Sequence, residues 1–200
     1  MATMHGVSYD SFSMHDEVHR TLRQQLGTML ENFRTGEPAD GRKIRGDRDE
    51  IALVGTSLGG YWAARFGNHF EIPAVLINPT IHPHQSLKRY VGHKLLNFVT
   101  RSRNILREEV PASYGNIERS GDFLVLLDKG DEVLDYRVSE NWFARGGSGT
   151  QAKPAQTGTT ASVTARQDFC KVVTFEGGSH RFSHMDESLP HIRQFLAERY

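Results

Sequence analysis

The stretch that decides the fold is residues 51–66, Ile-Ala-Leu-Val-Gly-Thr-Ser-Leu-Gly-Gly-Tyr-Trp-Ala-Ala-Arg-Phe. Its first four residues are apolar and typical of a buried strand, and its last six favour a helix. The G-x-S-x-G pattern lies between them, at a strand-to-helix corner. A sharp turn there lifts the Ser57 hydroxyl clear of the sheet, and the helix directs its free N–H groups towards it. Ser57 is therefore the candidate nucleophile and the Leu58 N–H a candidate donor to an oxyanion. The alternative is a Gly/Ser turn that only joins strand to helix.

The rest of the chain alternates apolar runs with helical periodicity. We predict strands over residues 51–54, 74–77, 123–127 and 171–175, and helices over 16–33, from 57 onwards, and over 85–99, 136–143 and 189–199. Short continuous apolar runs suit strands that are buried on both faces of a parallel sheet. The sequence therefore predicts an α/β fold, with a mostly parallel sheet flanked by helices.

Chain length and composition favour one domain over residues 1–200. The stretch 145–166 is rich in Gly, Ser and Thr and is predicted to be a flexible insertion. The stretch 37–50 is rich in Gly, Pro and charge and is predicted to be an exposed connection. Too few residues follow the insertion to form a second core.

The charge balance and the apolar runs exclude several kinds of partner. The chain has 24 basic and 24 acidic side chains, so no net field favours nucleic acid. No run reaches the apolar length of an integral membrane segment, and the first residues lack the pattern of a signal peptide. The single Cys170 excludes an internal disulfide and is expected to be a packed structural thiol. We therefore expect a cytoplasmic protein; the sequence does not indicate its oligomeric state.

Two polar loops supply the partners that a serine nucleophile needs, namely a base and an acid that orients it. Residues 128–133, Asp-Lys-Gly-Asp-Glu-Val, follow the third predicted strand. Residues 176–182, Glu-Gly-Gly-Ser-His-Arg-Phe, follow the fourth. The chain order serine, acid, histidine is that of layered hydrolases. The two loops therefore offer Asp131 as the acid and His180 as the base.

Other residues of these loops are alternatives for the same roles. Asp131 is favoured because Gly130 before it permits a tight turn. Asp128 is closer to the strand end and is expected to satisfy loop N–H groups, Glu132 stays an alternative acid, and Asp135 is expected to cap the next helix. Two other histidines are expected to be surface groups flanking the last helix, namely His184 and His191.

A metal site and a phosphate site are both disfavoured. His82-Pro83-His84 places two histidines one residue apart without nearby acidic or Cys ligands. The glycine turn at Ser57 has neither a G-x-x-x-x-G-K-[ST] nor a G-x-G-x-x-G pattern. We therefore expect no metal and no organic cofactor.

Four separated motifs resemble those of one family and occur in the same order along the chain. They are Gly55-Thr56-Ser57-Leu58-Gly59-Gly60-Tyr61, Asn78-Pro79, Gly130-Asp131-Glu132-Val133-Leu134-Asp135-Tyr136 and Gly177-Gly178-Ser179-His180-Arg181-Phe182. From about residue 51 to the carboxyl terminus, excluding the insertion, the chain resembles the small bacterial esterases of the YqiA/YcfP type, which are compact α/β-hydrolases. The resemblance implies a Ser57-Asp131-His180 triad. It also implies hydrolysis of carboxylic esters, with acyl-CoA thioesters as a further substrate class.

The amino terminus departs from this family, whose members open with a strand that runs into a His-Gly loop. Under one interpretation, Met4-His5-Gly6-Val7 is that loop, and the backbone of Gly6 and Val7 supplies the second oxyanion donor. Under the other, Val7-Ser8-Tyr9 is a remnant of the second strand, and the fold is reduced at its amino terminus. The loss of one oxyanion donor lowers the rate roughly 10²- to 10³-fold.

The substrate pocket has two sets of candidate walls. Tyr61, Asn78 and Pro79 lie beside the predicted mouth of the site. The insertion 85–114 carries apolar residues at roughly helical spacing, namely Leu87, Tyr90, Leu95, Leu96, Phe98 and Val99. The alternative is that this set only packs a cap onto the core.

Three functions are compatible with these residues. The first is a serine esterase or thioesterase acting on a small acyl ester or thioester. The second is a catalytically weak or silent hydrolase-fold protein that binds an acyl ligand or a protein partner, as the amino terminus suggests. The third is a peptidase or a C–C hydrolase on the same scaffold. If the protein is a serine esterase or thioesterase, its activity is predicted to rise as His180 loses its proton.

Overall fold

A computed structural model of the chain describes residues 4–35, 51–97, 100–144 and 169–200. The chain divides into two compact units: Met1–Ile51 with His82–Asn116, and Ala52–Ile81 with Ile117–Tyr200. The predicted connection 37–50 and the predicted insertion 145–166 lie outside the described residues. That the whole chain forms one domain stays a prediction.

The helices and strands alternate along most of the chain. In order they are α1 (His15–Thr35), β1 (Leu53–Thr56), α2 (Leu58–Phe70), β2 (Ala74–Ile77), α3 (Pro83–Ser86), a 3₁₀ turn (Lys88–Tyr90), β3 (Lys94–Leu96), β4 (Arg103–Ile105), α4 (Glu109–Ala112), β5 (Phe123–Asp128), α5 (Tyr136–Ala144), β6 (Cys170–Phe175) and α6 (Met185–Ala197). All four predicted strands form, each within two residues of its expected bounds.

The second unit is built on a parallel sheet of four described strands in the order β1-β2-β5-β6. Thr56 pairs with Ile77, Ile77 with Leu126, and Asp128 with Phe175, so the carboxyl ends of the strands meet at one edge. β2 and β5 are buried along their whole length, as their apolar runs predict. β1 and β6 are the outer strands of the four and are less buried. This edge collects the loops that carry the candidate site.

Helices cover both faces of this sheet. On one face, Gly67 of α2 approaches Ala74, and Phe143 of α5 packs edge-on against Phe123 with ring centroids 6.1 Å apart. On the other face, α6 contributes to an apolar cluster with the sheet, whose buried members are Val75, Ile77, Leu124, Leu126, Phe182 and Phe195. The predicted α/β fold, with a mostly parallel sheet between helices, is confirmed.

α6 begins four residues before the helix predicted from residue 189. Asp186 and Glu187 occupy its first turn, where carboxylates stabilise a helix N-terminus, and Pro190 lies inside it. The acidic pair was the local signal for the earlier start.

The first unit contains α1, whose apolar stripe buries Val18 and Leu22. Within the described ranges, no helix has both the length and the apolar character that crossing a membrane requires. The predicted helix over 85–99 is wrong. The chain there forms only α3 and the 3₁₀ turn before β3, which pairs antiparallel with β4. Gly92 has a positive φ of 79°, which ends helical geometry before the strand.

Candidate active site

Ser57 lies on a strained turn between β1 and α2. Its backbone has φ 56° and ψ −121°, a combination that residues with a side chain rarely adopt. Three N–H groups hold the turn by donating to the Ser57 carbonyl, from Gly60 at 3.0 Å, Tyr61 at 3.3 Å and Thr80 at 3.0 Å. The strain is typical of a nucleophile turn, which keeps the hydroxyl raised above the end of the sheet.

Two glycines make this turn possible, and only one belongs to the G-x-S-x-G pattern. A Cβ on Gly55 would lie 2.1 Å from the Gly59 carbonyl oxygen, and a Cβ on Gly60 would lie 2.9 Å from the Pro79 Cβ. A Cβ on Gly59 would meet nothing within 4 Å. The close approach therefore requires glycine at positions 55 and 60, while the second glycine of the pattern has room for a side chain.

Ser57, His180 and Asp131 form a continuous hydrogen-bonded chain. The Nε2 of His180 lies 3.0 Å from the Ser57 Oγ. The Nδ1 of the same ring lies 2.9 Å from Oδ2 and 3.1 Å from Oδ1 of Asp131. The Asp131 side chain is 2 % exposed and that of His180 is 22 % exposed. In the sequence, Asp131 lies 49 positions and Ser57 lies 123 positions before His180. The structure brings the three side chains together.

Local hydrogen bonds keep Asp131 ionised. Burial by itself would raise the pKa of this carboxyl, but hydrogen bonds from His180 and from the N–H groups of Leu134 and Val133 outweigh it and hold the pKa below its ordinary value. Both N–H groups donate to Oδ1 at 2.8 Å. The tight turn expected after Gly130 therefore serves to fix the carboxylate that faces the histidine.

The other acidic residues of this loop have different contacts. Asp128 is fully buried, and its carboxylate accepts hydrogen bonds from the N–H groups of Ser179 and Ser183, as expected for a residue that satisfies the loop. Glu132 Oε2 accepts the His180 N–H at 3.0 Å. Asp135 precedes α5 and accepts the Arg137 N–H at 3.0 Å, as expected for a cap.

His184 is not the surface group that its position before a helix suggested. Its Nδ1 lies 2.7 Å from the Asp128 Oδ1, and its side chain is 17 % exposed. His191 lies within α6 and contacts the Phe175 ring edge-on, with centroids 6.2 Å apart. Of these two histidines, His184 is the one paired with a buried carboxylate.

The candidate oxyanion donors fall in different units. Leu58 is the first residue of α2, where backbone N–H groups have no acceptor within the helix. Gly6 and Val7 belong to the first unit, in a segment without regular secondary structure. The interpretation of Val7-Ser8-Tyr9 as a strand is wrong, because the N–H and carbonyl of Ser8 bond to the Gln25 side chain of α1 instead. The oxyanion roles of Leu58, Gly6 and Val7 stay predictions.

The candidate pocket residues of the second unit are buried. Tyr61 and Asn78 are 2 % and 3 % exposed, and Pro79 is also buried. The Asn78 Oδ1 accepts the Asp128 N–H at 2.9 Å, and its Nδ2 donates to the Ser179 carbonyl at 3.0 Å. Asn78 thus joins two loops of the site, while a role of these three residues in a substrate pocket stays a prediction.

The first unit contains a surface cavity of about 440 Å³ that overlaps the segment 85–114, which the sequence predicts to line an acyl pocket. Its walls are His84, Lys88, Glu108, Pro111, Ala112, Tyr114, Gly115 and Asn116. The predicted wall residues Leu87, Tyr90, Leu95 and Leu96 are not among them. Phe98 and Val99 lie outside the described residues. The lining of this cavity therefore differs from the predicted acyl-pocket walls, whose role stays a prediction.

Thr80 is a neighbour of Ser57 that sequence reasoning missed. Its Oγ1 lies 3.5 Å from the Ser57 Oγ, and the residue is 3 % exposed. The only local signal was its position directly after Asn78-Pro79, at the carboxyl end of β2.

Cys170 and the histidine pair at 82 and 84 lie outside this network. Burial raises the pKa of the Cys170 thiol to about 12, as suits a structural side chain rather than a reactive thiolate. In the part of the chain that the structure describes, no group of three or more His, Cys, Asp or Glu side chains is arranged to hold a metal ion.

The uncharacterised protein family UPF0227 matches residues 41–146, more than half of the chain and including the Ser57 and Asp131 loops. The chain belongs to the UPF0227 family. One relative, the UPF0227 protein YcfP of Salmonella typhimurium, is 23% identical over 204 residues that cover 96% of each chain. Another, a UPF0227 protein of Shewanella woodyi, is 28% identical over 101 residues, which cover 50% of this chain and 51% of the relative.

Solved structures similar to this UPF0227 chain have the α/β-hydrolase fold. Est1E from Butyrivibrio proteoclasticus with bound ferulic acid matches with a TM-score of 0.53 and 16% identity, covering 90% of this chain and 68% of that one. A putative hydrolase from Agrobacterium vitis has a TM-score of 0.52 and 17% identity, with coverages of 89% and 68%. The esterase PF2001 of Pyrococcus furiosus has a TM-score of 0.54 and 14% identity, with coverages of 93% and 63%. At these identities the similarity establishes the fold.

Proposed function

We propose that the protein is a serine hydrolase that cleaves carboxylic esters or acyl-CoA thioesters through an acyl-enzyme on Ser57. The observation that carries this proposal is the hydrogen-bonded chain from Ser57 through His180 to Asp131, with distances of 3.0 Å and 2.9 Å. A serine, an imidazole and a buried carboxylate in this order are the arrangement that activates a hydroxyl for acyl transfer.

The first step is attack by Ser57 on the acyl carbonyl. Asp131 accepts a hydrogen bond from the Nδ1–H of His180, which leaves Nε2 of the neutral ring as the acceptor for the Ser57 proton. As the Oγ–carbonyl bond forms, that proton passes to Nε2. The lowered pKa of Asp131 keeps the carboxylate charged, so that it stabilises the imidazolium that results.

Collapse of the tetrahedral intermediate completes the acylation. His180 gives its proton to the leaving alkoxide or thiolate, and the Leu58 N–H at the start of α2 stabilises the oxyanion. Water then attacks the acyl-enzyme with His180 again as the base, which releases the acid and restores Ser57. The first of these proton transfers, from Ser57 to His180, is between groups that already lie within hydrogen-bond distance.

The substrate class is supported by the chemistry of this chain and by the fold. The PF2001 protein, which shares the fold, is an esterase by name, and Est1E, which also shares it, was solved with bound ferulic acid. The pairing Ser57–His180–Asp131 suits any activated acyl group, so esters and thioesters are both expected substrates. Short acyl esters and thioesters are the first substrates to test.

A second candidate function is a hydrolase-fold protein that binds an acyl ligand or a protein partner with little turnover. The observation that favours it is the absence of a strand in residues 4–14, which leaves no regular element to present the predicted second oxyanion donor. Without that donor, the rate falls by roughly 10²- to 10³-fold.

Hydrolysis of p-nitrophenyl acetate and of short acyl-CoA thioesters distinguishes the two functions. We expect the wild-type protein to hydrolyse at least one of these substrates and the Ser57→Ala variant to be inactive. A folded wild-type protein that binds an acyl ligand in calorimetry without releasing product would favour the binding function. Equal activity of wild type and Ser57→Ala would contradict Ser57 as the nucleophile.

A further inference from the structure

A second carboxylate–imidazole pair lies beside the first one. Asp128 and His184 are joined by Oδ1 and Nδ1 at 2.7 Å, and the Asp128 side chain is 0 % exposed. Neither residue belongs to the chain of hydrogen bonds that reaches Ser57. A buried carboxylate is unfavourable unless its oxygens are satisfied, so the contacts of Asp128 indicate what the pair does.

All the side-chain hydrogen bonds of Asp128 go to the loop that carries His180. Its Oδ2 accepts the Ser179 N–H at 3.0 Å and the Ser183 N–H at 2.8 Å, while Oδ1 accepts from His184. His180 lies between these anchored positions. One carboxylate therefore fixes the loop on both sides of the proposed base.

Gly178 shows how closely this loop wraps around the carboxylate. Its φ is 79°, and a Cβ there would lie 2.0 Å from the Asp128 Oδ2. The loop reaches the carboxylate only because the residue before Ser179 has no side chain.

The opposite side of the loop is held as well. Asn78 Nδ2 donates to the Ser179 carbonyl at 3.0 Å and to the His180 carbonyl at 3.4 Å, and its Oδ1 accepts the Asp128 N–H. The Asp128 carbonyl in turn accepts the Asp131 N–H at 3.2 Å. Asp128 is thus bonded to the loop of the base and to the turn of the acid.

His184 completes the set of hydrogen bonds to the Asp128 carboxylate. Its ring stacks on Phe175 with centroids 5.2 Å apart and planes 9° apart, which fixes the ring opposite Asp128. The hydrogen bond to Asp128 raises the pKa of His184, and Glu187 adds a smaller contribution in the same direction. The pair is therefore a hydrogen-bonded clamp on the loop and is not part of the chain of hydrogen bonds that reaches Ser57.

We propose that Asp128 and His184 are positioning residues that hold His180 at hydrogen-bond distance from Ser57. This inference rests on the proposed function, since it assigns the pair a role in the geometry of that same site. It predicts that the loop carrying His180 loses its position when the clamp is opened, although the fold is retained. A misplacement of about 1 Å by a change outside the reacting groups lowers the rate by about 10²-fold.

The test compares two substitutions at one position. His184→Phe retains an aromatic ring for stacking on Phe175 but has no donor for Asp128, whereas His184→Asn lacks the ring but retains an N–H donor near the Nδ1 position. The readout is the second-order rate of Ser57 labelling by a fluorophosphonate probe, together with kcat and KM on p-nitrophenyl acetate. His191→Phe is the matched control, because His191 also contacts Phe175 but has no part in the clamp.

We expect His184→Phe to lower the labelling rate and kcat by about 10²-fold with KM nearly unchanged, His184→Asn to recover most of this loss, and His191→Phe to match wild type. Circular dichroism identifies the variants that fold. If His184→Phe does not fold, Asp128→Asn gives the same comparison, because it preserves the shape of the side chain but removes the charge.

The outcomes separate the two proposals. A labelling rate of His184→Phe within about twofold of wild type would overturn the clamp while leaving the proposed function intact. Equal losses in His184→Phe and His184→Asn would also overturn it, since the donor would then have no special role. A folded wild-type protein that is not labelled at Ser57 would overturn the proposed function and the clamp with it.

Discussion

The loops of the second unit contain two acid–histidine pairs of similar geometry and different surroundings. The Asp131–His180 pair is joined at 2.9 Å and the Asp128–His184 pair at 2.7 Å, both through Nδ1. The other ring nitrogen of His180 lies 3.0 Å from the Ser57 Oγ, whereas the ring of His184 stacks on Phe175.

The difference lies in what each carboxylate binds besides its histidine. Asp131 accepts two N–H groups of its own turn, so that its charge is presented to His180. Asp128 accepts N–H groups from a loop about fifty residues away, so that its charge holds the chain on both sides of His180. An acid–histidine pair alone therefore does not identify a catalytic base; the partner of the second ring nitrogen does.

Asp131→Asn breaks the catalytic pair and has the largest expected effect. The amide no longer fixes the His180 tautomer that leaves Nε2 free to accept a proton, and kcat on an ester falls by about 10⁴-fold. Asp135→Asn is the control, because asparagine caps a helix as well as aspartate does. An Asp131→Asn rate within about tenfold of wild type would assign the acid role elsewhere.

Gly178→Ala tests the second pair through the backbone. Gly177 and Gly178 both have positive φ, at 70° and 79°, but only a Cβ at 178 meets the Asp128 carboxylate. In urea unfolding we expect Gly177→Ala to lower the free energy of unfolding by about 1–2 kcal/mol through backbone strain. Gly178→Ala is expected to lower the free energy of unfolding by about 1–3 kcal/mol more than Gly177→Ala does, because its Cβ overlaps the Asp128 carboxylate, and also to slow labelling of Ser57. Equal losses of stability in both variants would mean that the loop does not close around Asp128.

The two pairs are expected to respond to pH in opposite directions. The pKa of His184 is raised on folding, so its stabilising contribution is complete below the pKa of an unfolded histidine, about 6.5, and is lost as the pH rises through the folded value. The pKa of Asp131 is lowered, so its contribution is complete above about 3.9 and is lost as the pH falls through the folded value.

Denaturant unfolding across the acid and alkaline range measures both contributions. The difference in stability between wild type and His184→Phe is expected to shrink on the alkaline side. The difference between wild type and Asp131→Asn is expected to shrink on the acid side. If the two differences changed with pH in the same direction, the opposite pKa shifts of His184 and Asp131 would be contradicted.

Glu132 gives the smallest expected effect. Its exposed carboxylate accepts the His180 N–H, and a glutamine oxygen accepts the same hydrogen bond. Glu132→Gln is therefore expected to change kcat by no more than about twofold, and Glu132→Ala to lower it by less than about tenfold. A larger loss in Glu132→Gln would show that the charge at position 132 matters more than the hydrogen bond.

The parts of this structure that the sequence predicts are those that depend on local patterns. The Ser57 turn follows from an apolar run, two glycines and a helical run within sixteen residues. Asp131 and His180 were predicted because each follows a strand in a parallel sheet, and parallel strands end at one edge. The capping role of Asp135 is equally local.

The features that sequence reasoning missed depend on distant pairing. In place of the helix predicted over 85–99, the chain forms α3, the 3₁₀ turn and β3. β3 pairs with β4 so that Lys94 lies opposite Ile105, a contact that periodicity does not reveal. The surface position predicted for His184 is wrong because its partner Asp128 lies 56 positions earlier, beyond the reach of any local pattern. The sequence also does not reveal that the Asn78 amide joins the loops around Asp128 and His180, because its partners lie 50 to 102 positions later; its pocket role stays a prediction.

The most direct test of the central claim is the rate at which a fluorophosphonate probe labels Ser57 in the wild-type protein and in His180→Ala, with the labelled peptide identified by mass spectrometry. The account predicts labelling at Ser57 in the wild type and a loss of about 10⁴-fold or more in the variant, since the hydroxyl then has no base. Labelling of His180→Ala at the wild-type rate, or no labelling of a folded wild-type protein, would contradict the claim that His180 activates Ser57.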